Sequence, residues 1–130
     1  MNKGLDAWHA AVKAKTADAV MTLLAEDAVF ESPIVHRPQI GRELTGMYLT
    51  GALHVLNNDS FTYLNEWHGK DSAVLEFQTV IDGITVNGVD LITWNAEGKI
   101  SHFKVMVRPL KAINLVHQKM GEMLETLKAG

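Results

Sequence analysis

The stretch Gly88-Val89-Asp90-Leu91-Ile92-Thr93-Trp94-Asn95 alternates in steps of two, with an aspartate among large apolar residues. Successive side chains of a β-strand point to opposite sides. If Asp90 points inward, Ile92 and Trp94 do so too, while Val89, Leu91 and Thr93 point outward. The same period runs from Phe61 to Val107, broken by turn chemistry at His68-Gly69-Lys70-Asp71, Asp82-Gly83 and Ala96-Glu97-Gly98-Lys99. Asp82-Gly83 and Asn87-Gly88 are both two-residue hairpin signals, yet the three residues between them cannot make a strand. The first is read as the turn and the second as a bulge or loop shoulder. The region then holds four strands.

Outside this region the period is helical. Leu5, Trp8, His9 and Val12 share one helix face. Thr16 reads as the N-cap of a second helix, with Asp18 in its first turn and Val20, Met21, Leu23 and Leu24 on its buried side. Ala28 to Ser32 is a short strand stopped by Pro33, and His36-Arg37-Pro38 is loop. A third helix runs from about Gly41 to Leu56, loosened by Gly46 and Gly51. Pro109 suits a helix's first turn, and Ile113, Val116, Met120, Leu124 and Leu127 give a closing amphipathic helix. Helices segregated from a run of strands predict one α+β domain spanning residues 1–130.

Composition narrows the function classes. The chain has 130 residues, 47% hydrophobic and 21% charged, enough to bury a sizeable core. A net charge of −3 lacks the basic excess of a nucleic-acid binder. No apolar run reaches a membrane span, and the first residues carry no secretory h-region. The absence of cysteine excludes disulfides and thiolate chemistry and fits a cytoplasmic protein. The six histidines show no metal-ligand spacing, and no glycine-rich phosphate loop or dinucleotide fingerprint occurs. Neither a metal nor a cofactor is expected.

Two segments carry a resemblance. Leu24-Ala25-Glu26-Asp27-Ala28-Val29-Phe30-Glu31-Ser32-Pro33 after two helices, and Gly88 to Asn95 followed by Gly98-Lys99-Ile100, resemble the nuclear transport factor 2-like superfamily. That group includes ketosteroid isomerases and SnoaL-like cyclases. The resemblance implies a cone-shaped, strongly curved antiparallel sheet whose helices close an apolar pocket. It covers the chain from about Leu5 to about Asn114. Ketosteroid isomerases use an aspartate base, with a tyrosine and a protonated aspartic acid hydrogen-bonding the enolate oxygen. By position the protonated acid falls on Asp90, the base on Ser32 and the tyrosine on Trp8. A serine without an activating partner does not abstract a carbon-bound proton, and an indole N–H only donates.

Matched to that fold, Val74, Glu76, Gln78 and Val80 would face inward, as would Phe103, Val105 and Val107, with Phe30 and Ser32 entering from the first strand. The expected ligand-binding set is Trp8, Phe30, Ser32, Gln78, Ile92, Trp94, Phe103, Val105 and Val107, with Asp90 and Glu76 as candidate catalytic acids. Two alternatives stay open. Asp90 caps a turn if its strand starts one residue later, and a one-residue slip puts Glu76 outside. With Asp90 inward, Leu75, Phe77, Thr79 and Ile81 would face out beside Val89 and Leu91, an apolar patch expected to form a homodimer. The expected ligand is small, apolar and uncharged, bearing one carbonyl or hydroxyl. Three roles fit: an acid–base isomerase or cyclase, a non-catalytic binder of an apolar metabolite, or a dimerisation module. Asp90, desolvated and without an inward cation, should titrate high.

Overall fold

A computed structural model describes residues 3–129, with side chains as far as Thr126. In chain order the elements are α1 (Lys3–Ala14), α2 (Ala17–Met21), β1 (Leu24–Glu31), β2 (Gln39–Ile40), α3 (Arg42–Leu56), β3 (Thr62–His68), β4 (Ser72–Ile81), β5 (Ile84–Trp94), β6 (Ile100–Arg108) and α4 (Leu110–Ala129). The strands form one curved sheet in the order β2-β1-β6-β5-β4-β3. Neighbours are antiparallel except β1 and β6, which run parallel. Register shifts place extra residues in β1, β3 and β6, bulges that bend strands and raise their twist.

Local chemistry explains the elements. The Thr16 side chain accepts from the Ala19 N–H at 3.2 Å and starts α2. Asp82 and Gly83 both take positive φ, 51° and 77°, the backbone of a two-residue hairpin whose twist suits its strands. β1 begins at Leu24, four residues earlier than expected, and Gln39–Ile40 adds a short edge strand. The Leu127 side chain, placed on the apolar side of the last helix by its spacing, lies outside the described residues.

Two expectations for the sheet are corrected. Asn87-Gly88 is no bulge: β5 runs straight through it, with Asn87 opposite Gln78 and Gly88 opposite Phe77. Glycine is required there for space, since a Cβ would collide with the Met106 carbonyl oxygen and sit 2.6 Å from the Phe77 ring. The second correction concerns β4. The hairpin pairs Ile81 with Ile84, which places Leu75 directly opposite Asp90. Residues paired across an antiparallel ladder share a face, so Ala73, Leu75, Phe77, Thr79 and Ile81 are buried. Val74, Glu76, Gln78 and Val80 lie on the outer face, the reverse of the expectation.

The concave face is covered by α1, α3 and α4 around a core that includes Trp8, Phe30, Leu49, Phe77 and Phe103. The arrangement is the α+β cone expected from the sequence. No helix is long and apolar enough to cross a membrane.

Candidate functional site

β5 turns Val86, Gly88, Asp90, Ile92 and Trp94 toward the helices. Asp90 is 6% exposed, among the few buried polar side chains. It is not unsupported. The Tyr63 hydroxyl, from β3, donates to Asp90 Oδ2 at 2.8 Å, and the Trp8 indole Nε1, from α1, donates to the Tyr63 oxygen at 3.0 Å. The chain of bonds has a fixed direction. An indole N–H can only donate, so Tyr63 uses a lone pair toward Trp8 and its proton points at Asp90. Oδ2 is therefore an acceptor, and a proton held by Asp90 belongs on Oδ1, which makes no hydrogen bond to the described residues.

Aromatic rings hold the chain in place. Phe103 packs on Trp8 with centroids 4.9 Å apart, and Phe61 meets the Tyr63 ring edge-on at 5.1 Å while stacking on Phe77 at 5.6 Å. This packing removes water. Burial pushes the Asp90 carboxyl up from 3.8 to about 7, opposed by the hydrogen bond from Tyr63. Burial and the neighbouring Asp90 charge raise the Tyr63 phenol well above its ordinary range. Tyr63 therefore stays protonated and keeps donating.

Asp90 borders a void of about 20 Å³, room for about one water molecule. Its walls Ala52, Leu56 and Val105 are shared with a larger chamber of about 190 Å³. That chamber is apolar, walled by residues such as Phe30, Ile34, Val107 and Val116, and its polar side chains are Ser32, Tyr48 and His117. A mostly apolar cleft with few polar groups is the usual form of a small-ligand site.

The expected site residues divide. Trp8, Phe103 and Asp90 line the inner void, Phe30, Ser32 and Val107 the outer chamber, and Val105 both. Glu76 and Gln78 are on the opposite side of the sheet. Glu76 accepts from Asn65 at 2.9 Å and Asn87 at 3.0 Å, which lowers its carboxyl below the ordinary value. Ile92 is buried but borders neither cavity. Trp94 lies against Gly4 of α1 and borders a separate open cleft, because α1 closes the sheet face beyond Asp90. Ser32 Oγ accepts from the Ile34 and Val35 N–H groups at 3.1 and 2.9 Å, a turn-forming hydroxyl rather than a base.

Sequence reasoning missed Tyr63, Tyr48 and His117. The alternation of Phe61 with Tyr63 was a signal for the first. No group of side chains suited to a metal ion occurs among the described residues. Arg42 is committed to the Met21 carbonyl and Arg108 reaches Asn87 on the outer face.

The SnoaL-like domain family matches residues 5–103. The crystal structure of a steroid delta-isomerase from Pseudomonas aeruginosa superposes with a TM-score of 0.91 at 32% identity, covering 98% of this chain and 93% of that one. A protein with a cystatin-like fold, conserved in bacteria, from Silicibacter pomeroyi DSS-3 gives 0.86 at 28% identity, covering 94% and 85%. A ketosteroid isomerase-like fold from Catenulispora acidiphila DSM 44928, in complex with trimethylamine, gives 0.63 at 20% identity over 85% and 88%, a likeness of fold alone. No curated protein matches the sequence. The curved sheet, the apolar cavity it encloses and these matches agree: the chain belongs to the SnoaL-like domain family, with a nuclear transport factor 2-like fold related to steroid isomerases.

Proposed function

We propose that the chain binds a small, largely apolar carbonyl compound and transfers a proton to or from it through Asp90, in the manner of an isomerase or cyclase. One observation carries this reading: the one-way chain Trp8 to Tyr63 to Asp90, which leaves the free oxygen of a buried carboxyl beside a cavity. A group titrating at about 7 holds its proton at neutrality yet can release it, the condition under which general acid–base catalysis works best. A carbonyl oxygen reaching the inner void would accept from a protonated Oδ1. The likeness to a steroid delta-isomerase at 32% identity supports a carbonyl ligand.

A second reading, binding without turnover, is favoured by the state of Ser32. Its oxygen accepts from two backbone N–H groups, and no carboxylate other than Asp90 lines either cavity among the described residues. The two readings separate in one experiment. Cyclohex-3-enone is incubated with the protein in D₂O, and its conversion to the conjugated enone and its deuterium uptake are followed by NMR. Turnover that falls at least a hundredfold in Asp90→Asn, within the range general acid–base groups contribute, supports the enzyme. Ligand-induced shifts around Tyr63 without conversion support the binder, and neither result leaves the proposed ligand class standing.

A further inference from the structure

The outer half of the cavity has its own chemistry. We infer that Ser32, Tyr48 and His117 form a carboxylate subsite, so that the ligand is a one-ring keto acid; this rests on the reading of Asp90 as the carbonyl site. Placement comes first. Along β6, Phe103 borders the inner void, Val105 both spaces and Val107 only the outer one. Along α3, Leu56 and Ala52 border both, and Tyr48 only the outer one. The three polar side chains therefore lie at the end away from Asp90.

Their hydrogen-bonding capacity comes next. A hydroxyl oxygen has two lone pairs, and both of Ser32's are occupied by the N–H groups of Ile34 and Val35. What Ser32 still offers is its proton. The Tyr48 ring stacks on Phe30 at 6.0 Å, which fixes its plane, and its hydroxyl bonds to no described residue. His117, on α4, is exposed and equally uncommitted, and it is the cavity's one side chain able to carry positive charge. The outer end thus presents donors against an otherwise apolar wall. Its complement is a group rich in acceptors, and a carboxylate has about four lone-pair sites.

Size and solvation agree with this. An apolar cavity of about 150 Å³ accepts benzene, so a chamber of about 190 Å³ holds one ring with a short arm. An anion deep in such a chamber would lose its water at high cost. At the rim beside exposed His117 it keeps much of that water and gains a hydrogen-bond donor, which removes the reason for expecting an uncharged ligand.

The test uses three matched probes and isothermal titration calorimetry on the full chain. 3-(4-Acetylphenyl)propanoate carries the carbonyl, the ring and the acid; its amide lacks the charge; 3-(4-ethylphenyl)propanoate lacks the carbonyl. The acid is expected to bind about tenfold tighter than the amide, the scale of a hydrogen bond to a charged group. Tyr48→Phe and His117→Gln, which nearly keep side-chain volume, should each erase most of that preference by weakening the acid more than the amide. Equal binding of acid and amide, or a preference untouched by both variants, overturns the subsite while leaving the Asp90 reading intact. Equal binding of the acetyl and ethyl acids overturns the Asp90 reading instead, and no binding by any probe overturns both.

Discussion

Burial and one hydrogen bond pull the Asp90 carboxyl in opposite directions, and burial wins. The folded chain then holds a proton that the unfolded chain releases between pH 3.8 and about 7. Unfolding in that window releases a proton, so Asp90's contribution to stability is complete below the unfolded value, falls as pH rises and levels off above about 7. A shift of about three units corresponds to a loss on the order of 4 kcal/mol. Asp90→Asn retains an acceptor for Tyr63 and cannot ionise. It should match or exceed the parent in stability at pH 8, and the gap between the two proteins should change with pH by roughly that amount. Guanidinium unfolding at pH 5 and 8 reads about two of those three units, on the order of 3 kcal/mol. The comparison with Asn also cancels Glu31, Glu66 and Glu76, whose lowered values act in the opposite direction. Tyr63→Phe removes the one bond that lowers the Asp90 value, so its carboxyl should titrate above 7 by carbon NMR; a value near four would remove the donor role. Likeness to a known fold picked out Asp90 as the inward acid, and alternation along β5 then set Ile92 and Trp94 on the same face. Neither revealed Tyr63, because a tyrosine beside Phe61 reads as apolar and the register shift between Tyr63 and Asn65 interrupts the count.

Among the elements, β4 shows what was legible and what was overlooked. Asp82-Gly83 reads as a turn, and counting back from it pairs Leu75 with Asp90. That count places Glu76 outside without any structure. Fixing the β4 face by likeness to a fold instead moved every side chain of the strand to the wrong side, as a one-residue slip must. Asn87-Gly88 misled for another reason: the same dipeptide serves a turn or a tight crossing, and periodicity does not see what packs above a backbone. Two glycine variants separate these uses. Gly88→Ala drives a Cβ into the Met106 carbonyl and the Phe77 ring and should cost about 2–3 kcal/mol, the scale of overpacking. Gly83→Ala meets open space at φ 77°, so only backbone strain of about 1 kcal/mol opposes it. Thermal unfolding of the two variants checks the order, and equal losses would contradict the packing around Gly88.

At the scale of the molecule, the corrected faces change which surface can join two copies. Phe77 is fully buried, so Phe77→Glu should unfold the protein rather than weaken an association. The outer face instead carries Val80 and Met106, 43% and 51% exposed, with Trp67 at 55% on β3 and half-buried Val74, Val89 and Leu91 between them. Apolar groups gathered on one sheet face are what an interface between two copies would cover. The charges on it suit a second copy of the chain. Glu76 is held by Asn65 and Asn87 beside Arg108, and Glu31 pairs with His102 and Lys104, so acids and bases both lie on one face and can meet their opposites across a two-fold axis. A homodimer through this face is expected in sedimentation equilibrium at micromolar concentration. Met106→Glu and Trp67→Glu should weaken it at least tenfold, since each places a charge in the contact at a cost of more than about 1.4 kcal/mol. The Asp90 titration should not move in either variant, because Asp90 faces the other side of the sheet. A monomeric parent at those concentrations would refute the interface, and a shifted Asp90 titration in Met106→Glu would show that the outer face and the cavity are coupled through β5 and β6.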